Sequence, residues 1–461
     1  MKKGIALIMF ANLINLVISL VNGFVLPKYL SIECYALIKT YTLYSTYAGF
    51  FHLGYLDGMY LKYGGRDMMS VSSDEYGTDF WNVIFMQIIV CIGVLFVGFI
   101  CHDFVIKAFA VGLLLRNICS CFQMFFQATG EFKLYSSALN YGTILSFVIS
   151  LFLVFVYKTD NAELYIGAQV FASLAVSIYL GLLLNSRMGY LNKISFSKHA
   201  FRENIAQGFV LMIGNFSNNL FTSIDRWLVK ILMTTFHFAA YSFAVSIDSL
   251  ITVFITPLYV TLYNAFCKNH AASHIINIKR MVLMWGFVII TFAYPAKFVI
   301  ENYLPKYNDS LPLVFILFAT QVFYAVIKGV YVNYFKALRK QNQYFWQIIK
   351  MLFVATVSGV TLYLIFKSMM SLAVAALITA IIWLVVNELK FKELRFSCRD
   401  WSYLTLLLSV FVVSGLLLPS IMGMLVYTLT FVVTSFMFMR PQFIEIADTI
   451  SKTIRDKIGK K

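Results

Sequence analysis

The stretch Phe104–Gln127, FVIKAFAVGLLLRNICSCFQMFFQ, decides how this chain is read. It is long enough to cross a bilayer, whose ~30 Å hydrocarbon core takes ~20 helical residues. Yet Arg116 sits at its middle. Gly112, Arg116, Ser120, Gln123 and Gln127 recur at helical spacing, so they form one polar stripe on an apolar rod. An arginine at the centre of a lipid-facing helix costs at least ~2.5 kcal/mol. The stripe is therefore expected to face protein or a watery cavity.

The rest of the chain has the same character. Of 461 residues, 60% are hydrophobic and only 13% charged, and the mean hydropathy is +0.79. This is the composition of an all-α polytopic membrane protein and excludes a soluble multidomain enzyme. The net charge of +16 would suggest nucleic acid on a soluble protein. Here the charges fall between apolar runs, so membrane topology explains them and no nucleic-acid partner is expected. The seven cysteines are scattered without a CxxC pair, which indicates neither a disulfide framework nor a zinc site. No cofactor is expected. The basic start, MKKGIALIMFANLINLVISLVNGF, resembles a signal peptide, but its long apolar run reads as a first, uncleaved span.

Fourteen stretches qualify as spans: 4–26, 35–57, 80–101, 104–126, 138–156, 164–185, 205–226, 238–264, 280–297, 311–335, 347–366, 369–387, 401–418 and 421–439. With the N-terminus inside, 25 of the 37 Lys and Arg fall on inner segments and eight on outer ones. That bias places both termini in the cytoplasm. The expected domains are a six-helix bundle at 1–185, a basic cytoplasmic linker at 186–204, a second six-helix bundle at 205–387, two extra helices at 388–440, and a basic amphipathic tail at 441–461 on the inner membrane surface.

The halves look repeated. Asn12, Asn15, Ser19 and Asn22 share one helix face, as do Asn215, Asn218, Thr222 and Asp225. FFQATGEFKLY from Phe125 and YFKALRKQNQY from Tyr334 stand 209 residues apart, as do Lys39 and Asp248. Under that offset Arg116 and Lys328 lie on matching faces. Paired bundles with facing polar stripes are how many transporters build a central site.

The intramembrane charges are net cationic: Lys39, Arg116, Arg226 and Lys328 against Asp225 and Asp248. Only an anionic cargo compensates a cationic cavity at that depth. Arginine suits phosphate because its planar fork donates two hydrogen bonds at once, and aromatic rings suit sugar stacking. Asn12, Asn15, Gln123, Asn215, Asn218 and Gln321 would line the cavity. Asp248 and Asp225 are candidates for coupling transport to a proton or sodium gradient. The competing reading is that these are structural ions paired between helices, Arg116 with Asp248 for instance. Asp57, Lys62 and Arg66 read as loop charges, although GYLDGMYLKYGG carries the glycines that helix breaks need. There is no GxxxxGK[ST] motif, no pair of carboxylates placed as in a glycosidase, and no nucleophile triad, so no enzyme is expected.

Three stretches carry a family resemblance: FVLPKYLSIECYALIKTYTLYSTYAGFFHLGYLDGMYLKYGG near the start, SIDRWLVKI…AAYSFA at 223–244, and ENYLPKYNDSLPLVFILF at 301–318 followed by YVNYFKALRKQNQY at 331–344. Over nearly its whole length the chain resembles Wzx-type oligosaccharide repeat-unit flippases, in the multidrug/oligosaccharidyl-lipid/polysaccharide exporter superfamily. The resemblance implies two facing six-helix bundles around a central cavity. It implies outward flipping of undecaprenyl-pyrophosphate-linked glycan across the bacterial cytoplasmic membrane, for O-antigen, lipopolysaccharide or capsule. Implied partners are that lipid-linked glycan, the bilayer, and a polysaccharide polymerase with its chain-length regulator. Arg116 and Lys328, with Lys39 and Arg226, would then grip the pyrophosphate and sugars. Such flippases commonly have twelve helices; fourteen is closer to the lipid II flippase. The alternatives are an exporter of drug-like cations with the same fold, whose cavity should be acidic, and a membrane polymerase, which needs a larger outer loop than residues 298–310 supply.

Overall fold

A computed structural model describes residues 2–192, 194–268 and 271–445, with side chains from Leu13 onward except at 252–261, 263–264 and 268. All regular structure among them is helical. By internal packing the chain divides into two units, Met1–Ser223 and Ile224–Lys461.

The first unit comprises α1 (Lys2–Tyr29), α2 (Ile32–Ser45), α3 (Tyr55–Tyr63), α4 (Ser73–Ile100), α5 (Phe104–Ala128), α6 (Phe132–Phe152), α7 (Ala162–Met188) and α8 (Lys198–Phe221). Polar caps set the starts. Ser31, Ser72, Asp103, Asn161 and Ser197 each accept a hydrogen bond from the first turn of the helix that follows. The opening stretch is α5, the centre of this unit, packed by α2, α3, α4, α6 and α7.

The expected second span is not continuous. It runs as α2, a 3-10 turn over Ala48–His52, and α3. Leu53 and Gly54 take left-handed backbone (φ 50 and 84), which turns the chain between the two halves. A break within a membrane frees carbonyls that lipid cannot satisfy. Three amides from neighbouring helices satisfy them: Asn117 bonds the Ala48 carbonyl at 3.1 Å, Gln87 that of Phe51 at 3.1 Å, and Asn219 that of Thr46 at 3.3 Å. Asn117 also donates to the Gln87 carbonyl at 2.8 Å, so α4 and α5 brace the break together.

The second unit comprises α9 (Ile224–Leu232), α10 (Thr235–Lys268), α11 (Ala272–Ile290), α12 (Ala293–Tyr303), α13 (Leu311–Val326), α14 (Val332–Ala337), α15 (Gln341–Phe366), α16 (Met369–Lys390), α17 (Cys398–Leu417) and α18 (Ser420–Phe438). A π-helical turn over Ile327–Tyr331 joins α13 to α14. Here α13 is the central rod, packed by α10, α11, α12, α16 and α17.

Ten of the described helical segments are long and apolar enough to cross a membrane. The other four stretches expected to span are α1 and α10, whose side chains are described only in part, the broken α2–α3 pair, and α8. Helix α8 is long enough, at 24 residues, but too polar for that criterion. Of the expected amphipathic tail, 441–445 is helical and the rest lies outside the described residues.

Candidate functional site

In the second unit the short helix α9 brings Asp225 and Arg226 against α10. Tyr241 of α10 donates its hydroxyl to Asp225 at 2.9 Å. Two turns along α10, Asp248 is buried and accepts from Gln321 of α13 at 2.7 Å. Its other oxygen, Oδ1, is buried without a hydrogen-bond partner among the described residues, as is Arg226 Nε. Lys328 lies within electrostatic reach of Asp248, and its ammonium stands 5.1 Å from the Tyr324 ring. Five residues singled out from the sequence, Asp225, Arg226, Asp248, Gln321 and Lys328, thus gather in one cluster. The sequence did not reveal that Lys328 sits inside a π turn, a feature that often marks functional positions.

The first unit distributes its candidates more widely. Arg116 is exposed on α5, and no described residue offers it an ion pair or hydrogen bond. Gly112, one turn earlier, leaves space for the Tyr41 hydroxyl, which a Cβ would overlap. Gln123 turns instead to α6 and donates to the Ala138 carbonyl at 3.2 Å. Lys39 lies half-buried with its ammonium 5.1 Å from the Tyr35 ring. Asn15 is half-buried, and its Oδ1 has no partner among the described residues. The side chain of Asn12 lies outside the described residues. On α8, Asn215 donates to Asp57 at 3.4 Å and Asn218 is exposed.

Asp57 is a correction. It is not a loop charge but a buried carboxylate on α3, with His52 Nε2 3.9 Å away. Lys62 and Arg66 are not simple loop charges either. Asp79, fully buried at the start of α4, accepts from Tyr55 (2.9 Å), Lys62 (2.8 Å), Tyr63 (2.6 Å) and Asn204 (3.0 Å). Arg66 forms a two-pronged pair with Glu75 at 2.9 and 3.0 Å. The second unit has its own buried ions. Lys279 bonds Glu388, the Tyr331 hydroxyl at 2.7 Å and the Leu394 carbonyl at 2.7 Å. Arg280 forks onto Asp400 at 2.9 and 3.0 Å. In the sequence Lys279 and Arg280 count as inner-segment charges, with no signal for their acidic partners, which lie more than 100 residues away.

Apart from Asp57, whose close partners are the His52 ring and the Asn215 amide, these networks are closed: Asp79, Glu75, Glu388 and Asp400 are each matched by an opposite ion. The stretch around Arg116 and the α9–α10–α13 cluster are different, since they leave charged or polar atoms without partners among the described residues. Nor does any group of three or more described His, Cys, Asp or Glu stand together to hold a metal.

The family described as "Polysaccharide biosynthesis protein" matches residues 1–270. No curated protein sequence matches the chain. Among solved structures, the lipid II flippase MurJ in an inward closed conformation superposes with a TM-score of 0.62 at 12% identity, covering 95% of this chain and 100% of that one. An inward-facing multidrug resistance MATE family transporter of the MOP superfamily gives 0.56 at 12% identity, over 83% and 95% of the two chains. A crystal structure of a MATE point mutant gives 0.52 at 12% identity, over 84% and 95%. At such identity the likeness is one of fold.

Proposed function

The chain belongs to the polysaccharide biosynthesis protein family, and we propose that within it this protein flips polyprenyl-pyrophosphate-linked oligosaccharide repeat units from the inner to the outer leaflet. The observation that carries the reading is Arg116. It is an exposed guanidinium midway along an apolar helix of spanning length, with no acid among the described residues to neutralise it. Such a charge is costly in lipid, and a pyrophosphate is the partner its fork geometry suits. Lys39 in the same unit adds positive charge, and Lys328 and Arg226 do so in the second. The lipid tail would stay in the bilayer while the charged head and sugars cross a polar path by alternating access. Asp248, with one carboxylate oxygen unpartnered among the described residues, is our candidate for coupling the cycle to an ion gradient.

The test is a strain whose surface polysaccharide depends on this chain. Arg116→Ala should lower surface display at least about tenfold, the effect of losing ~1.4 kcal/mol of anion contact, with Arg116→Lys retaining part. Undiminished display together with altered drug susceptibility would favour an exporter of small molecules instead.

A further inference from the structure

Helix α8 is the polar exception among long helices in a protein otherwise built for lipid. Its residues 215–219 lie 13 to 17 positions beyond Arg202, about 20–25 Å along the helix, a distance that for a spanning helix falls within the ~30 Å hydrocarbon thickness. Asn215, Asn218 and Asn219 are all exposed there, and so is Thr46 at the break in the second span. Exposed amides at this depth do not face lipid tails. Beside them stand three aromatic rings. Phe50 and Phe216 approach with centroids 4.4 Å apart and planes 31° apart, and Tyr47 meets Phe216 edge-on at 6.0 Å. The Tyr47 hydroxyl is held by Ser223, which in turn donates to the Asn219 carbonyl at 2.6 Å. The Tyr47 ring is therefore anchored, and all three rings remain partly exposed.

We propose that this surface is a carbohydrate subsite: Phe50, Phe216 and Tyr47 offer apolar faces to a pyranose ring, Asn218 offers its amide to the ring's hydroxyls, and Asn219, whose amide nitrogen braces Thr46, offers its side-chain oxygen. Aromatic faces beside short amides match the two sides of a sugar, C–H on its faces and O–H at its rim. The break in the second span places the platform. The 3-10 turn over Ala48–His52 brings Tyr47 and Phe50 to α8, where an unbroken helix would continue past it. This inference rests on the proposed function, because it assigns the sugar half of the cargo to the first unit.

The test compares binding of two probes to the detergent-solubilised full chain: undecaprenyl pyrophosphate, and the same lipid carrying N-acetylglucosamine. Wild type should bind the glycosylated probe about fivefold more tightly. Phe50→Leu and Phe216→Leu should abolish that preference while leaving affinity for the bare lipid unchanged, which also shows that the variants fold. Asn218→Ser should reduce the preference. Equal binding of both probes by wild type, or a preference that survives both leucine variants, overturns the subsite and leaves the flippase reading standing. Binding of neither probe overturns both.

Discussion

At the residue scale, the buried ions divide by what they do. Lys279 is fully buried against Glu388 and also donates to Tyr331 and the Leu394 carbonyl. Removing one partner of such a pair strands the other charge, which costs about 3–5 kcal/mol, whereas replacing both by apolar or neutral groups costs far less. Lys279→Met should therefore strongly lower thermal stability in detergent, and Lys279→Met combined with Glu388→Gln should recover much of the loss. If the double variant melts no higher than the single one, the pair is not the source. The sequence made the helical stripe of Phe104–Gln127 legible, because spacing along one helix is enough to show it. It could not show that Gln123 turns to α6, or that Asp57 and Asp79 are buried. Those facts depend on which helix arrives opposite, and hydropathy carries no such information.

At the element scale, the contact of α3 with α8 rests on small residues. A Cβ on Gly58 would overlap the Asn204 backbone, and one on Gly208 would overlap the backbone at Gly54 and Gly58. Backbone rather than a movable side chain stands in the way, so Gly58→Ala should separate the helices and cost about 1–3 kcal/mol. It should also loosen the Asn204–Asp79 bond, since Asn204 sits at the same contact. Gly167→Ala on α7, where nothing lies within 4 Å, is the matched control and should be neutral or mildly stabilising. Equal melting shifts for the two variants would contradict the close approach. The glycines of GYLDGMYLKYGG pointed to a break, but its position and its amide braces were not legible. A hydropathy window averages over a 3-10 turn and reads α2 and α3 as one span. The π turn at Lys328 escapes it for the same reason.

At the scale of the molecule, composition alone established an all-helical polytopic protein, because 60% apolar residues leave no other solvent but lipid. Grouping was harder to read. The basic link before residue 205 marks a boundary in sequence, while internal packing groups α8 with the first unit, where Asn204, Asn215 and Asn219 bond to α3, α4 and the break. Loops show in a sequence; long-range hydrogen bonds do not. Under our reading, Arg116 of the first unit meets a pyrophosphate head, while Asp248 of the second senses the gradient. The most direct measurement is flipping of a fluorescent undecaprenyl-pyrophosphate-linked oligosaccharide in proteoliposomes, followed by accessibility in the outer leaflet. We predict transfer by the wild-type chain, slowed at least about tenfold by Arg116→Gln and by collapse of the ion gradient. Transfer at the rate of protein-free vesicles would contradict the flippase itself. Transfer by the wild type that is unchanged in Arg116→Gln would contradict the cationic path on which the account depends.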